Sequence, residues 1–138
     1  MKKFIVCIIF LCGTKVLMAQ NNTLVKDTSY GTFKSIEVEA EFPGGQGAWG
    51  SFLRKNLKAN VPFKKGALAG TYLVIVKFII GKDGRIDEVT PETNHGYGME
   101  NELVRVIKKG PKWIPATLNG VAVRAYRRQP ITFVVAEK

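Results

Sequence analysis

The chain has 138 residues, 46% of them apolar and 23% charged, which excludes a disordered or fibrous protein and fits one globular core. Its 21 Lys and Arg against 11 Asp and Glu leave a net charge of +10, so its partners are expected to be anionic or acidic. Both cysteines, Cys7 and Cys12, lie near the N-terminus, and the remaining chain has no thiol for a disulfide, a thiolate metal site or a cysteine nucleophile.

The first nineteen residues read as a secretory signal peptide. Lys2 and Lys3 precede an apolar run from 4 to 11, and Leu17-Met18-Ala19-Gln20 offers a small residue for cleavage. The run is shorter than the roughly 20 apolar residues a membrane span needs. The expected product begins near Gln20, is periplasmic and carries +7, since Lys2, Lys3 and Lys15 leave with the leader (10 minus 3). An uncleaved leader anchored in the inner membrane is the alternative. Export argues against nucleic acid as partner.

Residues 20–35 are polar, without a sustained period, and read as a flexible leader to a domain over 36–138. From Ser35 the chain alternates, with Ile36, Val38, Ala40 and Phe42 opposite Glu37, Glu39 and Glu41, the pattern of a half-buried strand or extended segment. Pro43-Gly44-Gly45 stops it. Trp49, Phe52, Leu53 and Leu57 then recur at helical spacing, predicting a helix over about 46–57 that ends at Asn60-Val61-Pro62. A connector over 64–70 follows. Residues 71–80, β-branched and aromatic and apolar on both faces, predict a central covered strand. Gly81-Lys82-Asp83-Gly84 is hairpin-turn chemistry, and 85–92 resumes as the return strand.

Asn94 to Gly98 is a loop, after which Met99, Leu103, Val106 and Ile107 predict a second helix closed by Gly110-Pro111. After Trp113-Ile114-Pro115 and a turn at Asn119-Gly120, residues 121–135 read as a last long strand broken by Pro130. The order is β-α-β-β-α-β. Two helices around an antiparallel hairpin cannot build a parallel doubly wound sheet, so the expected class is α+β, a small antiparallel three-stranded sheet with both helices on one face.

Chemistry-bearing groups are sparse. His95 stands alone in a glycine-flanked loop, reading as an exposed histidine rather than a metal ligand. Asp87 and Glu88 are adjacent on a strand and point to opposite faces; Glu100 and Glu102 sit in a helix first turn, as ordinary dipole partners. No nucleophile motif or phosphate loop appears, so the expectation is no enzyme, no metal and no cofactor. The last strand remains: Arg124, Tyr126 and Arg128 share a face and Arg127 takes the other. Two readings are open, a solvated strand whose charges discourage aggregation and a docking edge that accepts a partner strand through its main chain.

Several segments in order carry a likeness: Glu41-Phe42-Pro43-Gly44-Gly45, the helix with Phe52-Leu53 and Asn56-Leu57, the strand Thr71-Tyr72-Leu73-Val74-Ile75-Val76-Lys77-Phe78, the turn Lys82-Asp83-Gly84-Arg85-Ile86, the helix Glu102-Leu103-Val104-Arg105-Val106-Ile107 with Pro111-Lys112-Trp113-Ile114-Pro115, and Pro130-Ile131-Thr132-Phe133. Over about 36–135 the chain resembles the TonB C-terminal domain in its Bacteroidota form. The resemblance implies a non-enzymatic module whose last strand pairs with the TonB box of outer-membrane receptors in TonB-dependent transport. The partner-binding edge would be Val123, Arg124, Ala125, Tyr126, Arg127, Arg128 and Gln129. Two departures from the family stand out. Sixteen residues, 20–35, would reach at most roughly 55 Å where the family has a long spacer, and Asn60-Val61-Pro62 replaces a Tyr-Pro helix exit.

Two other readings belong beside this one: a basic domain bound to peptidoglycan or another anionic envelope polymer, and a homodimer paired through its last strands without energy transduction. Trp113 is expected to wedge beneath the sheet, and the row Glu37, Glu39 and Glu41 to lie near Arg124 and Arg128, partly shielding the edge.

Overall fold

The computed structural model describes the chain over residues 38–137 and the backbone of residues 8–9, 24–26 and 33–35. The long strand β4 (Gly70–Ile80) lies at the centre, flanked by β5 (Ile86–Pro91) and β8 (Ala125–Val135), both antiparallel to it. β-Branched and aromatic residues dominate β4 because they fit a pleated, packed surface. The β4–β8 register runs without interruption from Gly70↔Val135 to Ile80↔Ala125, whereas β4–β5 slips once between Phe78 and Ile80.

One face of this sheet carries the core. Val74, Val76, Phe78 and Ile80 of β4 and Ile131 and Phe133 of β8 are almost wholly buried against α1 (Gly45–Asn56) and α3 (Met99–Lys109). α3 turns Met99, Leu103, Val106 and Ile107 inward, with Glu100 and Glu102 in its first turn and Lys108 and Lys109 in its last, as the helix dipole favours. α1 presents Trp49 and Leu53. The class is therefore α+β, with three antiparallel strands and the two helices on one face, as expected.

An aromatic cluster joins the elements. Trp113 lies 5.0 Å from Trp49 and 5.5 Å from both Phe42 and Phe78, centroid to centroid, mostly in edge-on geometry. The hairpin turn locks onto it: Trp113 N donates to the Gly84 carbonyl at 2.8 Å. Gly84 has φ +81°, and a Cβ there would come within 2.0 Å of the Trp113 carbonyl oxygen, so this turn position admits only glycine.

One expectation of the extended segment holds and three others are corrected. The alternating segment is half-buried and extended over 38–41, as read: Val38 bridges Thr117 and Glu41 bridges Ile114, beside the hairpin of β6 (Ala116–Leu118) and β7 (Val121–Val123). The chain after α1 does not simply end a helix, since Val61–Lys64 forms a one-turn helix, α2, with Pro62 in its first turn. The last strand breaks at Arg124 rather than Pro130; β8 runs through Pro130 unbroken. Finally, the second face of β4 is covered only in part: Leu73 there is 46% exposed, whereas Ile79 is 8% exposed.

Beyond β8, β1 (Ile8–Ile9) pairs antiparallel with Thr132 and Phe133, giving the order β1-β8-β4-β5. Within the segment read as a flexible leader, β2 (Leu24–Lys26) pairs with β3 (Phe33–Ser35).

Candidate partner-binding edge

The predicted edge residues fall on three pieces of chain. Val123 closes β7, Arg124 is the link, and Ala125 to Gln129 open β8. Which of them offer main-chain groups outward follows from β4. Ile75 O accepts from Glu92 N at 2.8 Å and Ile75 N donates to Thr93 Oγ1 at 3.1 Å, so Ile75 directs both groups toward the β5 side. Its neighbours Val74 and Val76 must direct theirs toward β8, because successive residues alternate. In the unbroken register, Val76 faces Gln129, Phe78 faces Arg127 and Ile80 faces Ala125. Ala125, Arg127 and Gln129 therefore spend their main-chain groups inward. Tyr126, Arg128, Pro130, Thr132 and Val134 turn theirs to the rim.

Proline lacks the N–H donor, and Pro130 stands in this outward row, where no ladder bond is lost. That placement is why the strand continues through it. Among the described residues the rim is paired at Thr132 and Phe133, opposite Ile9 and Ile8.

Side chains of the edge are held by partners within the chain. Arg124 Nη2 lies 3.3 Å from Asp87 Oδ2, and Arg128 Nε 2.9 Å from Glu92 Oε2; both reach across β4 to acids on or beside the return strand. Lys77 sits over the Tyr126 ring at 5.4 Å. Arg127, on the core side, pairs with Glu39 at 3.1 Å, donates to the Ala40 carbonyl and covers the Trp113 ring at 5.3 Å. Gln129 accepts from Trp49 Nε1 at 2.6 Å. The expectation that the glutamate row meets Arg124 and Arg128 is thus corrected. Glu39 meets Arg127, because residues 38–41 run along β6 on the helix side of the sheet.

Charge is segregated. The helical layer, residues 45–65 and 99–112, holds nine Lys and Arg against two acids, a surplus of seven. The other described residues among 38–137 hold six against seven, a deficit of one. Both acids of the layer are turned inward. Glu100 accepts from Thr93 Oγ1 and His95 N, and Glu102 accepts from Lys58 N at 2.8 Å and Arg105 Nη2 at 2.6 Å.

Burial pushes the Glu102 carboxyl up, but the Arg105 guanidinium and the Lys58 amide outweigh it and hold the group below the ordinary carboxylate range.

His95 is exposed, its Nε2 2.7 Å from the Leu73 carbonyl oxygen. Among the described residues no three His, Cys, Asp or Glu gather where they could hold a metal, and no helix is long and apolar enough to cross a membrane. An open cleft of about 330 Å³ lies between Pro91 and Asn101, above the buried Glu100.

Fold and rim together define a class, a small α+β domain whose last long strand is bordered on its outer side, among the described residues, by the two-residue β1 at Thr132–Phe133. The family model of the Gram-negative bacterial TonB protein C-terminal matches residues 67–135, half of the chain, from just before β4 to the end of β8. The chain belongs to this family, whose domains serve in transport and contact outer-membrane receptors rather than catalyse reactions. Searches of curated proteins and of solved structures returned no match. Residues 38–66, with α1 and the Glu41 to Gly45 segment, lie outside the matched span.

Proposed function

We propose that this protein is a periplasmic binding module that recognises an extended peptide, such as the TonB box of an outer-membrane receptor, by adding it as a strand along the rim of β8. The observation that carries the reading is the outward row of main-chain groups at Tyr126 and Arg128, on a regular strand whose inward groups are all matched to β4. Pairing of Ile8–Ile9 at Thr132–Phe133 supports it, since the rim there takes an antiparallel strand. The flanking arginines are already charge-paired, so recognition on this rim rests on the backbone with side chains selecting.

The test is titration of a TonB-box peptide against the parent and Tyr126→Pro. Removing one outward donor should weaken binding by about 0.5 to 1.5 kcal/mol for the bond itself, and more where the ring meets the incoming chain. Equal affinity of a folded Tyr126→Pro protein would sink the reading at this position. A homodimer paired through the same rim would show as peptide binding that weakens with rising protein concentration.

The proposal includes export, with a leader removed after Ala19. Intact-mass measurement of the protein recovered from the periplasm should give a chain beginning at Gln20. A full-length mass confined to the membrane fraction would establish the anchored form instead.

A further inference from the structure

We propose that the helical layer docks on an anionic phospholipid surface, seated on the end of the layer that carries Lys58, Lys64, Lys65, Leu68 and Tyr97. This does not depend on how the β8 rim is used. The positive surplus of the described residues lies on the layer, and no outward acid opposes it there, because Glu100 and Glu102 bond inward. No acid among the described residues forms a salt bridge with Lys64 or Lys65, and Lys58 faces only the buried Glu102, which Arg105 already pairs, whereas three arginines of the β7–β8 region are paired.

Charge alone would suit any polyanion; the apolar groups among the lysines distinguish a bilayer. Leu68 is 74% exposed, three residues after Lys65. It is displayed by a pinned loop: Ala67 N donates to the Pro62 carbonyl at 2.9 Å, and Tyr72 Oη donates to the Leu68 carbonyl at 2.9 Å. Tyr97, 37% exposed, packs edge-on against Tyr72 at 6.4 Å, and the Lys65 side chain passes over the neighbouring Gly98. Lysine, tyrosine and an outward leucine on one end match the three depths of a bilayer interface, namely phosphate, headgroup boundary and upper acyl chain. A hydrated anionic polymer offers the leucine nothing.

The end also suits the rest of the chain. Ile8–Ile9 pairs at Thr132–Phe133, and Phe133 lies opposite Tyr72 near the start of β4, the end that carries Leu68. Tyr126 pairs with Ile79, nine residues along β4 from Gly70, which is about 30 Å away. A docked domain would leave that stretch of rim open.

The experiment is co-sedimentation of the full chain with phosphatidylcholine vesicles, with or without phosphatidylglycerol, and in parallel with soluble polyphosphate. The variants are Lys64→Glu with Lys65→Glu, Leu68→Ser, and as control Lys82→Glu with Arg85→Glu, an equal charge change at the turn at the far end of β4. All carry the same N-terminal run, so its contribution cancels between them. The parent should prefer phosphatidylglycerol vesicles. The Lys64/Lys65 pair should lower that partitioning on the order of tenfold or more, Leu68→Ser several-fold, and the control far less than either. Two results overturn the proposal: loss of binding in the control equal to that in the Lys64/Lys65 pair, or retention of all variants alike by the anionic vesicles. Leu68→Ser without effect, while the lysine pair weakens vesicle and polyphosphate binding equally, would also overturn it and make the layer a polymer-binding face.

Discussion

Trp113 sits where three elements meet. It is 3% exposed, touches the rings of Phe42, Trp49 and Phe78, and ties its backbone to the hairpin turn at Gly84. Its indole N–H is buried without a hydrogen-bond partner among the described residues, while Arg127 covers the ring, so its role is filling space and offering a π face. Trp113→Ala should cost about 3 to 5 kcal/mol, read as a large drop in melting temperature; a variant that melts like the parent would refute this role. Glu102 is the other residue with a measurable signature. Its folded pKa lies below the unfolded value near 4.5, so the stability it supplies is fully present above about pH 4.5 and is lost as pH falls through the lower folded value. Glu102→Gln keeps an acceptor for Lys58 but loses the Arg105 ion pair. At pH 7 it should be less stable by about 1 to 2 kcal/mol, and denaturant melts of the two proteins should converge once the pH has fallen below the lowered folded value. A gap that persists there would mean the packing of the side chain, not its charge, matters.

At the scale of elements, β8 has two sides that proline distinguishes. Ala125 directs its N–H inward to Ile80, so Ala125→Pro should break a ladder bond beside the buried core and lower the melting temperature clearly. Tyr126→Pro removes an outward donor and should melt close to the parent. The reverse order of stabilities would show that the phase assigned to the strand is wrong. Pro130 held this phase in the sequence, since an internal proline in a regular strand belongs on the outward row of an edge. Read there as a break, it proves to be the marker of the rim. The segment 38–42 gives a second lesson about elements: with Ala40 and Phe42 buried and two bridges to the chain after Trp113, it is a structural part of the domain, and its loss would open the core.

For the whole molecule, the segregation of charge predicts how salt acts on each surface. Edge arginines already have acids beside them, so peptide binding through the backbone of the rim should change little as salt rises from about 0.05 to about 0.5 M, where screening shortens toward a few ångströms. Isothermal titration across that range checks it, and a steep loss of affinity would show that unpaired cations carry the contact.

The types and order of the long elements were legible in the residues because local periodicity reports them directly, whereas the short α2 and β6 were not. The two-sided apolar run of β4, the turn chemistry of 81–84 and the 3.6-residue spacing of Met99, Leu103, Val106 and Ile107 each need only near neighbours in the chain to be recognised. Long-range pairing was not legible. Whether Glu39 meets Arg127 or Arg128, or Arg124 meets Asp87, depends on which side of a sheet a distant segment passes, and pairs 36 to 88 residues apart leave no local pattern. The break at Arg124 was hidden likewise, because Val121, Val123 and Ala125 alternate as one strand while β6 draws the first two of them into a separate hairpin. Composition and periodicity determined an α+β domain with a basic surplus; only the tertiary structure decided which backbone groups face outward and on which layer that surplus lies, since both are set by register and by the burial of acids against partners far away in sequence.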